Sequence, residues 1–193
     1  MEEILKQASD VYHSMTSILK GVDVESKDNV FIPVLFHDSV IEHYRSIGVL
    51  IENELHSSAS TLLRPLFEAH VKGLWFAEHA KENDFERLRN DKFEKVFRTL
   101  VSDIDPNGDG GLEKAKKKAW GPLNSLTHAG AAQLGRKYSD GKIENNHSVE
   151  FLAQVIDFAQ NYALLSCCEI AGLSKNKNAM DASIALAKLK HGL

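Results

Sequence analysis

Cysteine is nearly absent from this chain. Cys167 and Cys168 are the only two in 193 residues, and they are adjacent. Neighbouring cysteines in a helical pattern exclude a disulfide framework and offer no CxxC metal spacing, so a reducing, cytoplasmic setting is expected. Long apolar runs are missing too, and no stretch approaches membrane-spanning length. The start, Met1-Glu2-Glu3-Ile4-Leu5, is acidic and amphipathic where a signal peptide would be basic and then continuously apolar. There is no excess of positive charge. Lys plus Arg total 23 against 27 Asp plus Glu, for a net charge of −4, which excludes the global positive field of a dedicated duplex binder and makes any nucleic-acid contact local. Two-residue alternation, internal repeats and low-complexity tracts are absent, as are a Walker loop, GxGxxG, GxSxG and HExxH.

What remains is helical periodicity. Ile4, Ala8, Val11, Met15 and Ile18 form a 3.6-residue stripe ending near Gly21. Ile41, Tyr44, Ile47, Leu50 or Ile51, and Leu55 mark a second helix, with Pro33 placed in its first turn, and Ser57 and Ser58 separate it from a third over 59–80. A fourth, capped by Asp84, turns Phe85, Leu88, Phe93, Val96, Phe97 and Leu100 inward. A turn-rich break over 103–111 precedes a basic helix over 112–120. That helix is expected to stop at Gly121-Pro122, before another over 123–134 and a polar loop over 135–147. Ser148 caps a long helix carrying Leu152, Val155, Ile156, Ala159, Tyr162 and Ala163, and Gly172-Leu173 closes it. A last helix holds Met180, Ile184, Ala187 and Leu189 on its apolar side. The expected fold is all-α: one antiparallel bundle of seven to eight helices over 1–193, with its core in 30–172 and flanking helices at 1–20 and 175–191.

At about 100° per residue, the third helix puts Leu62, Leu63, Leu66, Phe67, His70 and Leu74 on one face. Thr61, Arg64, Glu68, Lys72, Trp75 and His79 fall on the other. A tryptophan on that side implies that it is covered as well, which turns Arg64 and Glu68 inward. The alternative is a surface i to i+4 ion pair worth a few tenths of a kcal/mol. Pro65 disfavours a helical Arg64, so the helix either kinks there or begins at Pro65. In Thr127-His128-Ala129-Gly130, His128 lies four residues after Asn124 and three after Ser125, either of which can orient its imidazole. His70 reads as a core residue. The remaining histidines show no metal-ligand spacing, and no metal or cofactor is expected.

The block 58–75, with Leu-Leu-Arg-Pro-Leu-Phe-Glu at its centre, together with Leu123-Asn124-Ser125-Leu126-Thr127-His128-Ala129-Gly130, resembles a group of bacterial helical proteins similar in outline to the HEPN superfamily (higher eukaryotes and prokaryotes nucleotide-binding domains). The resemblance covers residues 30–172. It implies a homodimer that cleaves RNA without metal, using an Arg and a His with four to six residues between them, in the setting of a toxin, phage defence or a stress response. Arg64 and His70 have five residues between them. Pro65, however, replaces the polar residue usual after that Arg, and helix geometry sets Arg64 and His70 about 120° apart. His128 is therefore the expected partner of Arg64 and Glu68: an acid/base beside a guanidinium that meets a phosphate, with Asn124 and His70 in support.

Asp103-Ile104-Asp105-Pro106-Asn107-Gly108-Asp109 matches the opening of a calcium loop, with Gly at its sixth position. The twelfth position is Lys114 where a bidentate Glu is needed, so a solvated turn is the better reading. Lys114, Lys116, Lys117 and Lys118, with Arg136 and Lys137, are candidate phosphate contacts for RNA, although a charge run is more often a solvated helix face. Two functions follow: a small HEPN-like ribonuclease, or a noncatalytic helical module for dimerisation or partner binding in which Arg64, Glu68 and His128 form a structural polar network.

Overall fold

A computed structural model describes residues 1–139 and 141–192, and its architecture is an all-α bundle. Among the described residues the helices are α1 (Glu2–Leu19), α2 (Asp28–Glu52), α3 (His56–Thr61), α4 (Leu63–Glu78), α5 (Glu82–Arg89), α6 (Phe97–Ile104), α7 (Leu112–Thr127), α8 (Ala131–Leu134), α9 (Val149–Leu173) and α10 (Lys177–His191). A small antiparallel hairpin, β1 (Tyr138–Ser139) with β2 (Lys142–Ile143), interrupts the expected polar loop. No helix of the described residues is long and apolar enough to cross a membrane.

Several boundaries differ from expectation, each for a local reason. Pro33 is the sixth residue of α2, one turn deeper than expected, so the bond it removes is to Asn29 near the helix start. The break before the third helix falls at Asn53–Leu55, where Glu54 has φ 60°, and Ser57 and Ser58 lie inside α3. Leu62 then separates α3 from α4, which puts Pro65 in the first turn of α4, where a missing N–H leaves no partner wanting. The fourth helix splits into α5 and α6. Lys81 is the N-cap of α5, and Asp84 accepts back from its N–H at 3.0 Å, while Val96 caps α6 and is 67% exposed. Helix α7 runs straight through Gly121 and Pro122, both exposed, so water can meet the Lys118 carbonyl that Pro122 leaves free. Ser148 caps α9 as expected, accepting from Phe151 N at 3.2 Å. At the other end α9 passes Gly172, and Lys175 takes the left-handed turn at φ 56°. On α10 the buried face carries Ala179 and Ser183, whereas Met180, Ile184 and Leu189 are exposed.

The core forms where α2 packs between α4 and α9. His37 and Phe36 of α2 meet Gly73 and Phe76 of α4, and His37 and Tyr44 meet Ser166 and Gln160 of α9, so α2 is antiparallel to both. Phe67, Phe158 and Tyr162 meet edge-to-face or tilted between α4 and α9, and Phe76 packs on Phe36, Trp75, Phe85 and Phe93. Burial of these rings is the main favourable contribution to the fold. Helix α1 lies across α2 and α9, with Met15 fully buried and the Tyr44 hydroxyl 2.9 Å from the Ala8 carbonyl.

One polar group sits at the centre. Ser166 Oγ lies 3.1 Å from His37 Nδ1 and 2.9 Å from His70 Nδ1, and all three side chains are buried. Desolvation pushes His37 down to about 3 and His70 to about 4, so both imidazoles are neutral at physiological pH. The folded values lie below the ordinary histidine value, so the unfolded chain takes up protons first as pH falls. The associated stability is complete above about pH 6.5 and is lost as pH drops through 6 toward 4 and 3. In urea unfolding, the wild-type midpoint should fall between pH 7.5 and pH 5, and a His37→Gln/His70→Gln variant should show a smaller drop. Equal drops would mean that other groups carry the acid sensitivity. Gly73 gives a second test, because a Cβ there would lie 2.6 Å from His37 Nε2. Overpacking of about 1–3 kcal/mol should exceed the roughly 1 kcal/mol of helix propensity that alanine adds. Gly73→Ala is therefore expected to lower the urea midpoint, and a rise would contradict the close approach.

Candidate functional site

The site is built on the far side of α4 from this core. Because α4 starts at Leu63, Arg64 lies in its first turn, and Glu68 follows one turn later on the same face. Arg64 Nε donates to Glu68 Oε1 at 2.8 Å, with the two side chains 23% and 27% exposed. The Arg64 guanidinium carbon is 5.0 Å from the Trp120 ring centroid, and Trp120 stacks on Phe97 at 4.2 Å with 7° between planes. Arg64 and Phe97 thereby occupy both faces of Trp120, which leaves none for a stacking base. The third residue of this face, Trp75, is 2% exposed and covered as its size requires; its Nε1 donates to Asp103 at 2.7 Å, and Lys95 sits over the ring.

His128 reaches Arg64 because of how α7 ends. His128 is the C-cap, Ala129 takes the left-handed conformation at φ 51°, and Gly130 N–H bonds back to Ser125 O at 2.8 Å. This is the Schellman arrangement, so Thr-His-Ala-Gly is first of all a helix terminator. Gly130 is needed for contact rather than for φ, since a Cβ there would lie 2.6 Å from Ser125 Oγ and 2.9 Å from its Cα. The same corner is fastened to the end of α3. Thr61 Oγ1 is 2.9 Å from Ser57 O and 3.3 Å from Leu126 O, Thr127 Oγ1 is 3.5 Å from Thr61 O, and Gln133 Nε2 donates to Thr61 Oγ1 at 3.1 Å. The exposed His128 thereby has its Nε2 in hydrogen-bond contact with Arg64 Nη1. A guanidinium only donates, so Nε2 must be the lone-pair nitrogen and the ring proton sits on Nδ1.

Arg64, Glu68 and His128 are thus together, joined across α4 and α7. The two supporting residues are placed differently. Asn124 meets His128 only through the backbone, with His128 N–H 3.0 Å from Asn124 O; its own Oδ1 is buried without a protein partner. His70 is in the core on Ser166, with its ring against Tyr162. Sequence reasoning did not single out His37, the other half of that polar centre. The available signal was its place on the stripe His37, Val40, Ile41 and Tyr44 of α2, with the small Gly73 three residues after His70.

The calcium-like loop has another use. Asp105 caps α7: Oδ1 accepts from Gly110 N at 3.0 Å and Oδ2 from Glu113 N at 3.1 Å, and these bonds hold its carboxyl below the usual range. Both oxygens are committed, and no cluster of three metal-ligating side chains occurs among the described residues. Of the α7 lysines, Lys116 and Lys117 lie 2.5 Å and 3.8 Å from Glu113. Lys114 and Lys118 are exposed.

The α7 corner yields a direct test. Ser125 meets a Gly130 Cβ with backbone atoms that cannot swing aside, so Gly130→Ala should cost about 1–3 kcal/mol, read as a lower urea midpoint. An unchanged midpoint would mean that the corner is loose and does not fix His128. Comparison with curated proteins and with solved structures finds no significant match. The family model of DUF6988, a family of unknown function, matches residues 37–191, from within α2 to the end of α10, and the chain belongs to that family.

Proposed function

We propose that this chain is an HEPN-like, metal-independent ribonuclease whose working groups are Arg64, Glu68 and His128. The observation that carries the reading is the meeting of an imidazole and a guanidinium from residues 64 apart on one solvent-accessible face. Those two groups suffice for metal-free cleavage of RNA, where the nucleophile belongs to the substrate. The ribose 2′-hydroxyl gives its proton to His128 as the 2′-oxygen bonds to phosphorus. The bond from phosphorus to the 5′-oxygen breaks, and that oxygen leaves with a proton returned by an imidazolium, from this chain or from a second copy in a homodimer. Arg64 meets the charge that builds on the phosphoryl oxygens, and Glu68 fixes the guanidinium plane through Nε. Substrate phosphate takes over the Arg64 Nη1 contact, which releases the His128 lone pair for this work. The exposed Lys114, Lys117 and Lys118, on the helix that leads to His128, suit the flanking backbone. A toxin, phage-defence or stress-response role agrees with this chemistry.

A second reading is a noncatalytic dimerisation or partner-binding module, with the same residues as a brace. It is favoured by the engagement of Arg64 with Glu68, His128 and Trp120 at once, which ties α4 to α7 without any ligand. Cleavage of labelled single-stranded RNA in the presence of EDTA separates the two. The enzyme reading expects cleavage that falls at least roughly 100-fold in both Arg64→Ala and His128→Ala, with urea midpoints little changed. No cleavage, combined with a loss of about 1–2 kcal/mol in Arg64→Ala, leaves the brace.

A further inference from the structure

We infer that a second copy of this chain docks on the groove between α1 and α2, and that the β1–β2 hairpin of that copy fills it. The inference is independent of the proposed reaction. The groove encloses about 870 Å³. Leu5, Ala8, Ile51 and Leu152 make its floor, and over Gly48 it is open: a Cβ built there would meet nothing within 4 Å. Val49 and Val149 in its lining are 49% and 51% exposed, apolar surface that the chain leaves uncovered.

The rim is acidic. Lys6 is paired with Asp10 at 3.2 Å, and Arg45 sits over the Tyr12 ring. Glu2, Glu52 and Glu54 also line the groove, and none has an ion-pair partner among the described residues. His147, at the edge, has both ring nitrogens hidden from solvent and without a protein partner. Its ring packs against His56 and Phe151, so it belongs to the wall of the groove rather than to its open face.

The hairpin has the complementary character. Tyr138 and Ile143 are directly opposite in the register, so their side chains share one face, and they are 63% and 91% exposed. Two short strands do not support themselves in water without a covered apolar face. Lys137 precedes the tyrosine and Lys142 the isoleucine, and with Arg136 they outnumber Asp140 and Glu144, so the segment is net positive, opposite in sign to the free carboxylates of the groove. The hairpin does not occupy its own groove. It stands beside it, held at its base by Asn145 Nδ2 on Glu54 O at 2.9 Å. A projecting patch next to its own complement is what a twofold axis requires: each hairpin enters the other chain's groove, and the exchange closes at two copies.

Sedimentation equilibrium of the full chain tests this. The wild type should be dimeric at tens of micromolar. Ile143→Asp, which charges the projecting face, and Gly48→Trp, which fills the groove floor from an open helical position, should each weaken the dimer at least roughly tenfold. Circular dichroism and the urea midpoint should remain close to wild type in both. A wild-type chain that stays monomeric at about 100 µM, far weaker than specific dimers require, overturns the inference. So does a dimer that survives either substitution, since the hairpin or the groove would then be outside the interface.

Discussion

The approach of α2 to α4 at Gly73 is the constraint on which the rest of the molecule depends. A helix pair separated by ordinary side chains leaves no place for an imidazole edge against the opposite backbone. Here the His37 ring lies within 3 Å of where a Cβ would stand on Gly73. That contact sets the depth to which α2 sinks between α4 and α9, and with it the positions of Phe36 on Phe76 and of His70 on Ser166. Interiors packed to this density shift as a unit rather than yield locally. The orientation of α4 about its own axis is therefore fixed from the core side.

The candidate site inherits that orientation. With His70 turned into the core, a residue six positions earlier emerges about 120° away, and Arg64 comes out under α7 rather than beside His70. The second half of the site depends on a different element. α7 must end where it does, with a left-handed Ala129 and a close Gly130, for His128 to arrive over the guanidinium. The Thr61, Thr127 and Gln133 hydroxyl and amide bonds join these two conditions, because they tie the end of α3, one residue before α4, to the corner of α7.

Much of this fold was legible in the 3.6-residue stripes, since a helix that buries one face must repeat apolar residues at that period. The ends were less legible. The stripe Phe85, Leu88, Phe93, Phe97 and Leu100 continues across a break, because the loop between α5 and α6 also turns its Phe93 inward, against Trp75 and Phe76. Pro122 reads as a stop, yet a proline on an exposed helix surface costs less where water can reach the freed carbonyl. Gly172 reads as a cap, but the helix continues past it and a lysine bears the left-handed turn. For the site, helix periodicity put Arg64 and Glu68 on one face, and Trp75 on that face indicated that it was covered. Nothing local encodes that His128 meets them, because that contact depends on how α7 lies across α3 and α4. The apolar residues of α10 divide: Leu186 and Ala187 pack partly on the core, whereas Met180, Ile184 and Leu189 are exposed.

Ser166 has a single hydroxyl hydrogen and two imidazole neighbours, so it can donate to one and must accept from the other. His37 Nε2 has no partner and faces the backbone of Gly73, and a bare lone pair is tolerated there better than an unbonded N–H. His37 thus carries its proton on Nδ1 and gives it to the serine oxygen, and the serine in turn gives its own to His70. The two buried rings are opposite tautomers, and the middle of this bundle holds a short hydrogen-bond chain of fixed polarity, running from α2 through α9 to α4.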